Sequence, residues 1–430
     1  MKWRSIPYLA SRLGLAGMLL ATALGLLCRA RGGDDVLVIA TGWPEADRAA
    51  LESAFRRWIE RAHAVTRGPV RVHWVVLMPG DDLARVVRRR APLDLVLGGP
   101  ASAFAKLDRQ GRLAPAGRLE HPSWRVLRRS PIGLAMRSGR TPDQKSQPDA
   151  AAPAPRPGLL TFDDPRHDPL ALAWAEGQLG AASWAEGYAR LVRYAGHPRR
   201  IGRQEGSALA AVERGEAAMT PAVAPHDPGR NPSLRFLPGE PGPEWVEGVA
   251  VVSGGNHPDL ARQFLEFLAG RGQAEPPTPV SGADLDASDL LADLLGATLV
   301  DAQDELWAAW AKLGRSARPG RAEMWMTRPP PWPPASVEKL LDRDKPSPLL
   351  ETLVGELAPD PEVRAWLVRS WLGPPRLIDR ALLTELAEAA DGRLVLEPRF
   401  HAWLRGEWTA WARQRYRRVA RLAVAGGAGP

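Results

Sequence analysis

Two glycine-containing turns carry the residues best placed to contact a ligand. Thr41-Gly42-Trp43 and Gly98-Gly99-Pro100 each follow an apolar, strand-like run. Glycines in such turns let a ligand approach backbone N–H groups closely, which is the chemistry of reversible binding. If both runs belong to one parallel sheet, the turns meet at its carboxyl edge, where such sheets hold ligands. Ordinary turn formation explains the same glycines, so both interpretations stay open.

A third candidate segment contains Arg203 and Gly206-Ser207, directly before a helix-like stretch. Ser207 is a plausible N-cap, and the free N–H groups and dipole of a helix N-terminus attract an anion. Arg203 would be a supporting cation. A capped helix without any ligand is the alternative interpretation.

Other side chains suit binding chemistry less specifically. The indoles of Trp43 and Trp245 suit stacking on a flat or cationic ligand, although core packing explains them equally well. The phrase FDDPRHD, with Asp163, Asp164 and Asp168, offers oxygen ligands for a metal. Its proline and its position after a strand-like segment favour turn formation, so we predict no metal site.

Catalytic chemistry finds little support. The single cysteine, Cys28, lies in the N-terminal segment, which leaves the fold without a thiol nucleophile or a disulfide. GxSxG, HExxH, P-loop and strand-linked GxGxxG motifs are missing from the sequence. We therefore predict no enzyme, no catalytic residues and no cofactor.

The elements that position the first two turns alternate between strand and helix. The run VLVIATG precedes an amphipathic segment, Pro44 to Arg61, with Leu51, Phe55, Ile59 and Ala62 on one face. Strand-like Val70 to Leu77, a short helix, strand-like Leu93 to Leu97 and helical Ser102 to Arg109 follow. This β-α-β-α-β-α order predicts a parallel sheet with right-handed crossovers.

Bulk properties exclude some partners. The chain has 430 residues, 45% of them apolar, and a formal net charge of +8. That length allows two or three domains with a substantial core. The positive charges are scattered among acidic residues without a nucleic-acid-reading motif, so we predict no nucleic-acid partner.

Residues 1–30 have the pattern of an export segment. Lys2, Arg4 and Arg12 precede an apolar run from Leu13 to Cys28, about sixteen residues long and short for a full membrane span. Cleavage, lipidation at Cys28 and retention as an anchor remain open. Each predicts a periplasmic or other extracytoplasmic location.

The rest of the chain divides by composition. Residues 138–158, rich in Pro, Ala and Ser, predict a flexible linker. Helix-like stretches fill residues 170–214, and Trp245 to Ser253 is strand-like. Beyond about residue 270 we predict no strand, and residues 346–425 read as a helical extension rich in tryptophan and ending in RQRYRRVAR.

These segments together resemble the type 2 extracellular solute-binding proteins of ABC transporters, in the branch of ferric-iron, thiamine and polyamine binders. The resemblance rests on the order and spacing of six phrases across roughly residues 35–340. They are VLVIATG, DLVLGGPASAFAKLDRQGRL, GLAM, LLTFDDPRHDPLALAW, GRQEGSALAAVERGEAAMTP and EWVEGVAVVSGGNHPDLARQFLEFL.

The resemblance implies an α/β fold of two lobes, with a ligand in the cleft between them and hinge motion on binding. Lobe I would comprise residues 35–137 and 250–345, and lobe II residues 159–249. It also implies ligand contacts at the Gly206-Ser207 turn and at the strand end that contains Thr220. Ferric binders of this family use adjacent tyrosines, whereas Tyr188 and Tyr194 are six residues apart and face different sides of a helix, so iron is disfavoured.

The sequence therefore predicts a solute-binding component of an ABC transporter. Its partners would be a small molecule or ion and a membrane permease, and the protein would be a monomer. The alternative is an interaction or sensory protein that keeps the two-lobed fold, has no transport role and acts through its C-terminal helices. The identity of the ligand stays open.

Overall fold

A computed structural model describes most of the chain. The described residues are 36–63, 70–78, 81–89, 92–115, 123–138, 158–181, 183–225, 232–239, 244–272, 275–277, 280–315, 319–341 and 347–424. The predicted export segment and nearly all of the predicted linker, residues 139–157, lie outside these ranges.

Three parallel strands open the chain. They are β1 (Val36–Thr41), β2 (Arg71–Val76) and β3 (Leu95–Pro100). Strand β1 lies in the middle, with Val36 opposite Arg71 and Ile39 opposite Leu95. Leu37 and Ile39 are fully buried, as expected for an apolar strand covered on both faces. The parallel β-α-β-α-β arrangement predicted from the sequence is confirmed.

Helices connect these strands and cover the sheet. They are α1 (Glu45–His63), α2 (Leu83–Arg89) and α3 (Ala101–Arg109). Leu51, Phe55 and Ile59 of α1 are buried, as their spacing predicts, and the side chain of Ala62 lies outside the described part of the chain. The sheet therefore has a core on each face.

Two long antiparallel strands extend the sheet. They are β4 (Trp124–Arg137) and β7 (Glu244–Val251), and β7 lies between β3 and β4. The first half of β4 pairs with β7, and its second half lies between β5 (Met219–Val223) and β6 (Leu234–Pro238). The sequence predicted only Ile132 to Met136 of β4, because three arginines interrupt the apolar pattern of its first half.

Two lobes follow from this arrangement. Lobe I is built on β1, β2, β3, β7 and the first half of β4, and lobe II on the second half of β4 with β5 and β6. Lobe II also contains α4 (Pro169–Gly180), α5 (Trp184–Tyr194) and α6 (Ser207–Glu213). Side-chain caps begin α4 and α5, since Asp168 accepts from the Leu170 N–H and Ser183 forms a capping box with Glu186.

Lobe I is completed by α7 (Pro258–Ala269), which packs on α1. The ring of Phe264 lies 4.9 Å from that of Phe55, and Phe267 contacts both Phe55 and Trp58 at 5.5 and 5.9 Å between centroids. Aromatic pairs of this kind contribute about 0.5–1.5 kcal/mol each beyond burial. This cluster fixes α7 against the end of α1.

The remaining helices pack on lobe II. They are α8 (Gly282–Leu295), a π-helical turn (Gly296–Val300), α9 (Gln303–Leu313), α10 (Pro319–Met326), α11 (Ala335–Glu338), α12 (Pro348–Leu357), α13 (Pro361–Leu372), α14 (Arg380–Glu388) and α15 (Pro398–Val424). Their apolar side chains form one continuous core with those of α4, α5 and β5. The sequence placed residues 250–345 in lobe I, and of these α7 packs there whereas α8 and α9 pack in the lobe II core.

Helix α8 also touches lobe I. Lys106 Nζ lies 2.6 Å from Asp289 Oδ1, and Arg109 makes a bidentate ion pair with Asp286 at 2.9 and 3.0 Å. These four side chains join α3 to a helix whose apolar face belongs to the other core. The two lobes are therefore linked by ion pairs as well as by strands.

The C-terminal helical region is present as the sequence predicts, but it is not free of strand. Two-residue strands β8 (Pro331–Trp332) and β9 (Arg376–Leu377) pair with each other. The sequence missed them because each is too short to leave a periodic pattern. Within the described ranges, none of the helices combines the length and the apolar character that crossing a bilayer requires.

Candidate ligand-binding site

The exit of β1 is a tightly held turn. Thr41 is buried, and its Oγ1 accepts a hydrogen bond from the Trp43 N–H at 3.0 Å. The Thr41 carbonyl accepts from the Leu77 N–H at 2.8 Å. Gly42 is exposed and Trp43 is half-buried. The turn thus directs the Trp43 indole across the end of the sheet.

The exit of β3 is shaped around that indole. Gly98 and Gly99 have φ angles of +78° and +97°, which side chains adopt only with strain. A Cβ on Gly98 would lie 2.7 Å from Trp43 Nε1. Gly98 therefore makes room for the tryptophan, which differs from the ligand approach that the sequence suggested. Pro100 precedes α3, whose N-terminus has no side-chain cap.

A buried carboxylate joins the two exits to the long strands. Glu247 on β7 is 8% exposed and lies opposite Pro100 in the ladder. Its Oε2 accepts from Trp43 Nε1 at 3.3 Å, and its Oε1 accepts from Trp245 Nε1 at 3.3 Å and from Arg128 Nη2 at 2.7 Å. The Arg128 guanidinium also lies 5.7 Å from the centre of the Trp43 ring.

Sequence reasoning identified Trp43 and Trp245 but missed Glu247 and Arg128. A signal for Glu247 was present, because it is the one charged residue in the apolar part of the segment WVEGVAVVS, and a buried acid requires partners. Arg128 gives no such signal, since it lies among other arginines. The Nε of Arg128 is buried without a hydrogen-bond partner among the described residues.

On lobe II, an internal carboxylate occupies the predicted anion site. Gly206, with φ of +78°, is the N-cap of α6, and Ser207, predicted to be the N-cap, is the first helical residue. Ser207 Oγ donates to Asp163 Oδ1 at 2.5 Å, and the Ala208 N–H donates to the same atom at 3.0 Å. Asp163 thus takes the place at this helix end that the sequence proposed for a ligand.

Asp168 lies in an acidic environment beside this helix end. It is 7% exposed, and burial first and the charge of Asp163 second raise its pKa from 3.8 to about 7. Burial also raises the pKa of Asp163, although Ser207 and the N–H of Ala208 oppose the shift. Lobe II therefore holds a carboxyl group that titrates close to neutral pH.

The other two predicted lobe II residues have different surroundings. Arg203 is exposed, and Thr220 is buried on β5 opposite Ala135. Ala135 is seven residues beyond Arg128 on the same strand, about 23 Å at 3.3 Å per residue. The structure brings Trp43, Gly98 and Trp245 together around Glu247 and places Thr220 at a distance along β4.

The aspartates of FDDPRHD have protein partners. Asp163 is bound to Ser207, Asp168 caps α4, and Asp164 pairs with Arg166, which also binds Asp301. Among the residues that the structure describes, no group of three or more His, Cys, Asp or Glu side chains is arranged for a metal ion. These partners account for the aspartates as structural groups.

The tyrosines have separate surroundings. Tyr188 is fully buried, and burial raises its pKa to about 12, which disfavours the phenolate form that ferric ligation requires. Tyr194 stacks on Trp174 and His197 at 5.5 and 6.3 Å. The expectation that iron is not the ligand stays a prediction.

Comparison with known proteins places this chain in a class. Residues 46–275, just over half of the chain, match the family model described as bacterial extracellular solute-binding protein. The chain therefore belongs to the family of bacterial extracellular solute-binding proteins, a class of transport binding proteins. The family recognised from six sequence phrases is confirmed.

Three solved structures show the general similarity. Iron-bound HitA from Pseudomonas aeruginosa is 18% identical over 59% of this chain and 92% of its own, with a TM-score of 0.40. AfuA from Actinobacillus pleuropneumoniae is 13% identical over 60% and 82%, with a TM-score of 0.42. A periplasmic thiamin binding protein is 14% identical over 58% and 85%, also at 0.42. A search of curated proteins finds no match.

Proposed function

We propose that the protein captures a small anionic ligand outside the cytoplasm and delivers it to an ABC permease. The observation that carries this proposal is the convergence of Trp43, Trp245 and Arg128 on Glu247 where the two strand exits meet the long strands. A site at strand exits is where open α/β sheets hold ligands. The ligand would lie between the lobes, with Gly99 and Pro100 on its lobe I side.

The donor groups of the site favour an acceptor-rich ligand. Glu247 already receives three hydrogen bonds, so its charge is satisfied by the protein. The buried Nε of Arg128 has no hydrogen-bond partner in the described part of the chain, and the N–H groups at the uncapped start of α3 lie opposite Glu247. A phosphate or carboxylate group would bind these donors. The indole faces of Trp43 and Trp245 would contact the remainder of the ligand.

Lobe II would contribute fewer contacts. The Ser207 hydroxyl and the Ala208 N–H would have to leave Asp163 to reach a ligand. Arg203 is exposed, and we retain it with Gly206 and Thr220 as contacts that form on closure. Bending of β4, the strand that the two lobes share, would bring them closer.

A thermal-shift panel tests the site. Inorganic phosphate, sugar phosphates and short carboxylates should raise the melting temperature, whereas polyamines and thiamine-like cations should not. A ligand at 100 times its Kd adds about 2.7 kcal/mol of stability. Arg128→Gln should abolish this shift. Arg129→Gln is the matched control, because Arg129 is adjacent, similarly exposed and paired with Glu244 at 3.5 Å.

Two results would contradict the proposal. Stabilisation by cations but not by anions would show that the donor set does not select the ligand. The absence of any shift across the whole panel would remove the support for solute capture. Light scattering on the same preparations checks the expected monomer.

The alternative, an interaction protein that acts through its C-terminal helices, depended on their tryptophans as a working surface. Trp310, Trp371 and Trp408 are instead buried in the lobe II core. Removal of residues 346–430 would expose that core, so substitutions in the lobe I site are a cleaner test than truncation.

A further inference from the structure

A basic cavity lies on lobe I outside the candidate ligand site. It has a volume of about 220 Å³ and is formed where the last turns of α1 meet the end of α7. Arg57, Arg61 and Arg271 line it together with Trp58 and Phe267. Three cations and two aromatic rings thus share one small concave surface.

The three arginines are available to a ligand. All three side chains are exposed, and among the described residues none of them pairs with an acidic side chain. Arg61 Nε donates to the Arg57 carbonyl at 3.0 Å, and Arg271 stacks 5.5 Å from the centre of the Phe267 ring. The guanidinium groups are therefore exposed at the cavity without a carboxylate partner among the described residues. Guanidinium groups bind phosphate oxygens in a bidentate manner, which favours a phosphate-bearing ligand.

The topology of lobe I fixes where this cavity lies. Helix α1 ends at His63, and β2 then begins at Arg71, which is level with Val36 in the sheet. The last turns of α1 therefore lie at the edge where β1 begins. The strand exits at Thr41 and Gly98 are at the opposite edge. The cavity is thus remote from the candidate ligand site and close to the point where the N-terminal segment joins the fold.

The predicted export segment lies directly before this edge in the sequence. The apolar run ends at Cys28, and seven residues separate it from Val36. Seven residues span no more than about 25 Å. A chain retained by its apolar segment would hold this edge of lobe I within that distance of the bilayer. Trp58, half-buried at the cavity, is a residue type enriched at the membrane interface.

We propose that this cavity binds the phosphate group of an anionic membrane phospholipid. Arg57, Arg61 and Arg271 contact the phosphate, and Trp58 lies among the headgroups. Because the cavity and the strand exits are on opposite edges, this contact leaves the ligand site facing the aqueous compartment. The inference goes beyond solute capture and does not depend on which solute is bound.

Hydrogen–deuterium exchange on the full chain in lipid vesicles tests the proposal. One set of vesicles contains phosphatidylcholine alone, and the other contains phosphatidylcholine mixed with phosphatidylglycerol. We expect slower exchange over residues 52–63 and 264–272 only with phosphatidylglycerol. High salt should reverse the effect, because the attraction between arginine and lipid is electrostatic.

Two triple variants complete the test. The triple variant Arg57→Ala, Arg61→Ala, Arg271→Ala should lose the lipid-dependent slowing. The control Arg364→Ala, Arg369→Ala, Arg399→Ala removes the same charge from other exposed positions and should keep it.

Three outcomes would overturn the proposal. They are equal exchange in the two kinds of vesicle, retained slowing in the first triple variant, and the same slowing with inorganic phosphate alone. The last would assign the cavity to a free anion. The comparison of the two vesicles uses the native chain, so it stands even if a variant folds poorly.

Discussion

Replacing Asp168 by asparagine should make the protein markedly more resistant to unfolding at neutral and alkaline pH. Asp168 is buried, and its pKa is raised from 3.8 to about 7 by burial and by the charge of Asp163. Its Oδ1 accepts the Leu170 N–H at 2.8 Å. An asparagine oxygen keeps that bond, so the substitution removes the titration and retains the helix cap.

The magnitude follows from the difference between the two pKa values of Asp168. Below about pH 4 the carboxyl is protonated in both the folded and the unfolded chain and contributes nothing to the pH dependence. Between about pH 4 and pH 7 the unfolded chain loses the proton while the folded chain retains it, so stability falls as the pH rises. A difference of about three pH units corresponds to a loss of about 4 kcal/mol by pH 8.

Urea unfolding of both proteins across this pH range measures the effect. The free energy of unfolding of the variant, minus that of the native chain, should grow from pH 4 to pH 8 toward that value. Asp360→Asn is the control, and its difference from the native chain should stay constant above about pH 5, because a carboxyl with a lowered pKa is ionised there in both the folded and the unfolded chain. Although burial opposes it, the N–H groups of Glu362 and Val363 and the charge of Arg393 lower the pKa of Asp360. A constant difference for Asp168→Asn would refute the assignment of a raised pKa.

Two further substitutions test the packing around the site and the C-terminal helices. Gly98→Ala should lower the free energy of unfolding by about 1–3 kcal/mol and shift the emission of Trp43, because the added Cβ meets that indole at a positive φ. Gly111→Ala, also at positive φ but with open space around it, should cost less, and equal losses would contradict the clash. The hydrogen bond and charge of Asp293 raise the pKa of His401, so His401→Gln should cost stability near pH 5.5 and little near pH 8.5. Chemical unfolding at both pH values checks this, and an equal cost would show that the pair is not ionic.

Strands and helices with clear periodicity could be predicted from the sequence. Strand β1 is an unbroken apolar run, and α1 has Leu51, Phe55 and Ile59 on one face, so each pattern points to a single structure. Strand β4 was predicted only in part, because the contacts that bury its first half come from β7. Burial of that kind depends on a partner strand more than a hundred residues away and leaves no local pattern.

The residues of the candidate site that lie at strand ends could be predicted from the sequence. The residues that depend on pairing between distant strands could not. Trp43 and Trp245 stood out as tryptophans at element boundaries. Their common acceptor, Glu247, and its ion-pair partner Arg128 become neighbours only once β4 and β7 are paired. The close packing of Gly98 against the Trp43 indole was hidden for the same reason, because the two residues are far apart in the sequence.

The shared core of lobe II and the C-terminal helices has a consequence for biosynthesis. Helices α4 and α5 leave the ribosome just over two hundred residues before α15, whose Tyr416 and Trp408 complete their core. At about 5–20 residues per second, the first apolar faces wait roughly 10 to 40 s for their last partner. Lobe I, whose own cores end near residue 268, can assemble in that interval. During that interval lobe I can be folded while the core of lobe II is still incomplete. Any holding factor that acts on the nascent chain should therefore bind α4 and α5.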